Sequence, residues 1–80
     1  MSTEAIATDF TVERSIYLSN RMRLLTQFPP ASYVLVAHGR LFGLFPSVAD
    51  ADEHAVGQRC TAWLVKQLGD TAFEHEGHNP

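Results

Sequence analysis

Two short runs separated by only two residues, His38 and Gly39, constrain the fold of this chain more than any other feature. The first run, residues 32–37, is rich in β-branched and aromatic side chains, which favour β-strands. The second run, residues 40–45, is apolar after its first residue, and Gly43 within it suggests a bulge or a close backbone approach. Glycine tolerates positive φ, and histidine does so more readily than most other residues, so the pair suits a tight turn. The pattern predicts a β-hairpin.

An amphipathic helix is predicted before the hairpin, over residues 9–28. Thr8 or Asp9 can cap its first turn, because a short side-chain oxygen accepts a free N–H there. Pro29-Pro30 ends it, since proline disfavours helical geometry in the preceding residue and supplies no N–H. The apolar stripe that recurs at the helical period consists of Phe10, Tyr17, Leu24 and Phe28.

A second helix and a third strand are predicted after the hairpin. Pro46 ends the second strand, and Ser47 with Asp50 resembles a capping box in which Asp replaces the usual Glu or Gln. Residues 62–68 are apolar on both faces, which is typical of a central strand. The tail, residues 69–80, is polar and is predicted to be loose, so that its removal from Phe73 onwards should leave the fold intact.

These elements predict a single α+β domain over residues 1–80. The order is α-β-β-α-β, with the hairpin, second helix and third strand forming a unit over residues 31–68. The predicted sheet has three strands and carries the second helix on one face. The first helix is expected to cover the same face or to reach a partner.

Composition limits the class of protein. Eighty residues make one domain with a thin core, and an apolar content of 45% is enough for a globular fold. Six basic and nine acidic residues give a net charge of −3, without the clustered basic footprint that nucleic-acid binding leaves. We therefore expect no nucleic-acid partner.

Further absences in the sequence bear on location. The longest apolar run is about five residues, whereas a bilayer span needs roughly 20. The N-terminal segment lacks the pattern of a signal peptide. A single cysteine, Cys60, excludes an intrachain disulfide, and small secreted domains usually carry several. The sequence predicts a cytoplasmic protein with no membrane partner.

Residues 18–68 resemble a family of short, uncharacterised bacterial proteins with a domain of unknown function. The matching segments are Tyr33-Val34-Leu35-Val36, His38-Gly39-Arg40, Leu44-Phe45-Pro46-Ser47, the helix with Ala51 and Ala55, and Leu64-Val65-Lys66-Gln67-Leu68. The resemblance implies a fold of hairpin, helix and strand, and it implies no activity. The chain departs from the family pattern at Arg59-Cys60-Thr61, where a glycine-containing helix end is expected.

Several polar groups are candidates for chemistry. His75 and His78 could bind zinc or nickel as weak metal candidates, although we favour a solvated tail. The acidic side chains at the start of the second helix suit a hard cation, but capping and the helix dipole account for them. Cys60 with His54 lacks the helical spacing of a contact, so a structural Cys60 is favoured. Arg14, Arg21 and Arg23 could touch phosphate, and a solvated helix face is the favoured interpretation.

No catalytic constellation emerges, so we expect no enzyme activity and no cofactor. A thin core with surplus apolar side chains favours a protein–protein interaction module, as a homodimer or a small subunit of a larger assembly. One alternative is a phage- or plasmid-borne inhibitor or regulator of a host complex. Another is a minor metal protein or enzyme that uses Cys60 and the tail histidines. The candidate interaction residues are Tyr17, Leu24, Phe28, Arg40, Phe42 and Trp63.

Overall fold

A computed structural model describes residues 9–79 of the chain. The elements are α1 (Thr11–Leu25), β1 (Tyr33–Ala37), β2 (Arg40–Phe45), α2 (Val48–Gly57), β3 (Ala62–Gln67) and β4 (Glu74–His78). The four strands form one antiparallel sheet in the order β2-β1-β3-β4. The α+β class is confirmed, whereas the predicted three-stranded sheet is wrong. Between residues 9 and 79, neither helix has the length and apolar character that crossing a membrane requires.

The predicted hairpin turn is confirmed. His38 and Gly39 have φ angles of 51° and 74°, and Ala37 pairs with Arg40 across them. Two consecutive positive φ angles match the right-handed twist of the strands that a two-residue turn joins. The Gly39 N–H donates to the Glu13 carboxylate at 2.9 Å, which ties the turn to α1.

A bulge interrupts β2, as Gly43 suggested. Gly43 and Leu41 pair with consecutive residues of β1, so Phe42 between them has no partner of its own in that strand. An extra residue resets the alternation of side chains across a strand. Phe42 and Phe45, three residues apart, consequently pack on the same face of the sheet.

The two helices lie on opposite faces of the sheet. α2 packs on the face that carries Leu35 and Val65, whereas Tyr17 and Leu24 of α1 pack with Val34 on the other face. The expectation that α1 would cover the same face as α2, or reach a partner, is therefore wrong. The physical reason is that β1 and β3 are apolar on both faces, so each face needs a cover.

The bounds of α1 are narrower than predicted. The helix runs Thr11–Leu25 instead of residues 9–28. Phe10 holds the N-cap position and supplies no side-chain hydrogen bond. Asp9, one residue earlier, accepts a hydrogen bond from the Thr11 N–H at 3.2 Å, so it satisfies one free donor of the first turn from outside the cap position. Thr8, the other predicted cap, lies outside the described residues.

The predicted cap of α2 is confirmed. The Ser47 hydroxyl accepts a hydrogen bond from the Asp50 N–H at 3.1 Å, which satisfies one of the free donors at the helix start. Ala51 and Ala55 are fully buried on the inner side of this helix. Their small side chains allow α2 to approach the sheet closely.

The segment after β3 forms a fourth strand, and the prediction of a loose tail is wrong for its described part. β4 pairs antiparallel along β3, from Glu74 opposite Lys66 to His78 opposite Ala62. Its sequence, EHEGH, contains no apolar side chain that would announce a strand. Backbone hydrogen bonds and flanking charges nevertheless suit an edge position. β3 gains a neighbour on each side, which confirms it as a central strand.

Candidate interaction surface

Three of the six predicted interaction residues belong to the core of the single chain. Tyr17, Leu24 and Trp63 are only 1%, 4% and 3% exposed. The Tyr17 hydroxyl donates to the Gln67 carbonyl at 2.6 Å, and burial raises the pKa of this phenol. These side chains fix α1 and β4 to the sheet and present little surface to a partner.

The other three predicted residues reach the surface at two places. Phe28, 39% exposed, follows the end of α1. Arg40 and Phe42 lie together on β2, an edge strand whose side chains are all exposed or partly exposed. The structure thus separates Phe28 from the other two and brings Arg40 and Phe42 into contact.

Arg40, Phe42, Phe45 and His54 form a stacked row that we call the β2 row. The Arg40 guanidinium lies 4.6 Å from the centre of the Phe42 ring, which is a cation–π distance. The His54 ring of α2 packs at 6.4 Å from the Phe42 ring and 5.1 Å from the Phe45 ring, measured between centroids. The bulge makes this row possible, because it turns both phenylalanines towards α2.

A shallow groove of about 460 Å³ begins at the end of the β2 row that is formed by Phe45 and His54. We call it the α2 groove, and its lining residues are Phe45, Pro46, Asp50, Glu53, His54, Gly57 and Gln58. Asp50 and Glu53 are exposed on α2. Two carboxylates beside two aromatic rings make the groove suited to a cationic group.

The charges of this region have no ion-pair partners within the described part of the chain. Four pairs of basic and acidic side chains lie within 4 Å of each other there, and none includes Arg40, Asp50 or Glu53. These three side chains therefore remain available for an external partner.

At the opposite edge of the sheet, Glu74 of β4 forms ion pairs within the same chain. Glu74 of β4 accepts hydrogen bonds from Arg14 at 2.7 and 2.9 Å, and its carboxylate lies 3.2 Å from the Lys66 Nζ. Lys66, only 3% exposed, also donates to the Thr71 carbonyl at 2.7 Å. The hydrogen bond from Arg14, followed by the contact with Lys66, lowers the pKa of Glu74 to about 2.

Acid is expected to weaken the fold through Glu74. Its pKa is about 2 in the folded chain, against an ordinary value of 4.5. Glu74 therefore stabilises the fold fully when the pH is above the ordinary pKa, and this stabilisation is lost as the pH falls towards the pKa of the folded chain. The difference in Tm between the parent and Glu74→Gln should therefore narrow between about pH 5 and about pH 2. Thermal melts followed by circular dichroism across this range measure it.

Glu76→Gln is the matched control, because Glu76 lies on the same strand but its carboxylate is 3.9 Å from Arg14. Its effect on Tm should be smaller at neutral pH. A Glu74→Gln difference that stays constant down to about pH 2 would contradict the assignment.

A second cluster joins α2 to β3 and β4. The Asp52 carboxylate accepts a hydrogen bond from the Trp63 indole N–H at 2.7 Å and lies 3.0 Å from the His75 Nε2. Sequence reasoning placed His75 in a loose tail and grouped Asp52 with Asp50 and Glu53. In the structure Asp52 lies apart from these two residues, and its contact with His75 links α2 to β4.

The metal and nucleophile candidates are not brought together. His75 and His78 are three residues apart on a strand, which directs them to opposite faces. Residues 9–79 hold no cluster of three or more His, Cys, Asp or Glu side chains placed to bind a metal. Cys60 is 1% exposed, and burial raises the pKa of its thiol, which disfavours the reactive thiolate. His54 packs against the two phenylalanine rings.

Arg14 and Arg21 contact residues outside α1, whereas Arg23 is exposed on the helix surface, as predicted. Arg14 binds Glu74, the Arg21 Nε donates to the Leu68 carbonyl at 2.8 Å, and Arg23 contacts Asn20. The Arg14–Glu74–Lys66 cluster and the Asp52–Trp63–His75 cluster are thus contacts between residues of the same chain.

Sequence reasoning missed that His54, Asp50 and Glu53 lie beside the phenylalanines of β2 and form one surface with them. The available signal was Gly43: a bulge at that position places residues 42 and 45 on one face. The acidic start of α2 follows immediately after the strand, which puts its carboxylates at the same end.

No protein-family model matches the chain, and searches of curated proteins and of solved structures likewise found no match. The resemblance to short bacterial proteins stays a prediction from the sequence.

Proposed function

We propose that this chain is a non-enzymatic protein–protein interaction module that associates through its β2 edge. The observation that carries the proposal is the contrast between the two edges of the sheet. The β4 edge has charged or titratable side chains at four of its five positions, which discourage pairing with another strand. The β2 edge has a single charge, Arg40, followed by Leu41, Phe42, Gly43, Leu44 and Phe45.

An edge strand carries backbone N–H and C=O groups that point away from the sheet and can pair with another chain. Five uncharged residues in a row leave no side-chain barrier to such pairing. The polar clusters elsewhere support a non-enzymatic function, because Arg14, Glu74 and Lys66 form one structural network and Asp52, Trp63 and His75 form another. The surface around β2 belongs to neither network.

Self-association should appear as a mass that rises from about 9 kDa towards twice that value between about 1 and about 100 µM, the range of a micromolar interface. Sedimentation velocity measures it. Phe42→Lys places a charge on the β2 edge and should leave a monomer throughout this range. Phe28→Lys makes the same substitution away from β2 and should associate like the parent.

Circular dichroism melts of both variants establish that each is folded. A parent chain that remains monomeric at every concentration would contradict the proposal. Equal association of the parent and a folded Phe42→Lys would place the interface away from β2.

A further inference from the structure

We infer that the occupant of the β2 edge is a second copy of this chain, paired antiparallel about a two-fold axis so that Arg40 of each copy enters the α2 groove of the other. This inference rests on the proposed function. It adds the identity of the partner, the direction of pairing and the residues that fix it.

The positions of the uncommitted charges give the direction of pairing. Arg40 lies at the first residue of β2, whereas Asp50 and Glu53 line the groove that begins at its last residue, Phe45. Five residue steps separate the two ends, a length of about 17 Å. Opposite charges at the two ends of one edge come together when two copies pair antiparallel, and stay apart when they pair parallel.

Arg40 and the α2 groove also lie on the same face of the sheet, as antiparallel pairing requires. An edge-to-edge antiparallel pair about a two-fold axis perpendicular to the sheet keeps both α2 helices on one side. The Arg40 guanidinium lies over the Phe42 ring, and Phe42 packs on the α2 face. Arg40 of each copy therefore arrives on the side where the other copy has its α2 groove.

The groove has the chemistry that a guanidinium requires. Asp50 and Glu53 supply carboxylates for charge-assisted hydrogen bonds. The Phe45 and His54 rings, 5.1 Å apart, supply flat surfaces for stacking. Two-fold symmetry forms this contact twice, so each favourable or unfavourable change of charge acts at both ends of the interface.

The bulge favours a second copy over an extended peptide. A peptide strand that paired with the whole of β2 would have to match the bulge beside Gly43 with a bulge of its own. In a two-fold pair centred near Gly43, the two bulges meet at the axis. The outer parts of the strands, with Arg40 at one end and Phe45 at the other, then carry the contacts.

Charge reversal tests the pairing. Arg40→Glu and Glu53→Arg should each raise the Kd of the homodimer at least about tenfold, because each places like charges together at two symmetric contacts. A mixture of the two variants should form a heterodimer with nearly the parent affinity. In that heterodimer the two reversed charges meet each other at one contact, and the unaltered Arg40 and Glu53 meet at the other. Sedimentation of the separate and mixed chains measures these values.

Arg23→Glu and Glu76→Arg are matched controls, because they reverse exposed charges on α1 and β4 and should leave the Kd within about twofold of the parent. Recovery of the dimer only in the mixture is the expected result. A parent dimer that both reversals leave unchanged would overturn this pairing while the interaction module stands. A monomeric parent would overturn both.

Discussion

Removal of residues 73–80 is expected to lower the Tm by at least about 12 °C, which corresponds to a loss of about 3 kcal/mol in a chain of this size. The truncation deletes β4 and exposes one edge of β3. It also removes Phe73, whose ring contacts that of Tyr33 with 5.4 Å between centroids. Burying one such side chain contributes about 1.5–3 kcal/mol, and lost ladder hydrogen bonds add about 1 kcal/mol each before the entropy of ordering is subtracted.

The expected loss is large relative to the total free energy of unfolding. At about 0.05–0.15 kcal/mol per residue, a chain of this length is stabilised by only roughly 4–12 kcal/mol. Thermal melts of the parent and the truncated chain measure the change. Removal of residues 79–80 alone is the control, because it leaves the Glu74–His78 strand whole and should cost only a few degrees. A chain without residues 73–80 that melts with the parent would show that β4 is dispensable.

The composition of this segment predicts the opposite result, because four of its eight residues are charged or titratable and only Phe73 is large and apolar. The structure removes much of the cost of ordering those groups by supplying partners. Glu74 meets Arg14 and Lys66, and His75 meets Asp52. These contacts join residues up to 60 positions apart, so no local pattern could reveal them.

One signal for the fourth strand was nevertheless present in the sequence. β1 and β3 are each apolar on both faces, and such strands need neighbours on both sides. Three strands provide only one central position, so two central strands require a fourth strand. Residues after Gly69, which follow β3 directly, supply it, with Glu74 opposite Lys66 and His78 opposite Ala62.

The hairpin and the caps were predictable because each depends on residues close together in sequence. His38-Gly39 specifies the turn, Ser47 specifies the start of α2, and Gly43 marks the bulge. The β2 row was not predictable, since it joins a bulged strand to a helix on another part of the chain. The sequence predicts Arg40 and Phe42 as separate candidates, and the structure places them in contact.

Gly77→Val is expected to destabilise the chain by about 3 kcal/mol, the upper end of the usual cost of overpacking a core. Gly77 lies opposite Trp63 in the β3–β4 register, and a Cβ atom at this position would overlap the indole ring. The indole cannot move aside freely, because its N–H donates to Asp52 at 2.7 Å. Either β4 separates from β3 or this hydrogen bond breaks, and both leave a buried group without its partner.

Urea unfolding followed by circular dichroism measures the loss from Gly77→Val, and the fluorescence of Trp63, the single tryptophan, reports directly on the contact. His78→Val is the control, because it places the same side chain at an exposed position of the same strand and should change stability by no more than about 0.5 kcal/mol. In the Trp63→Leu background, Gly77→Val should cost at least about 1 kcal/mol less than in the parent, since the overlapping ring is gone. Equal costs in the two backgrounds would show that the glycine is required for a reason other than the indole.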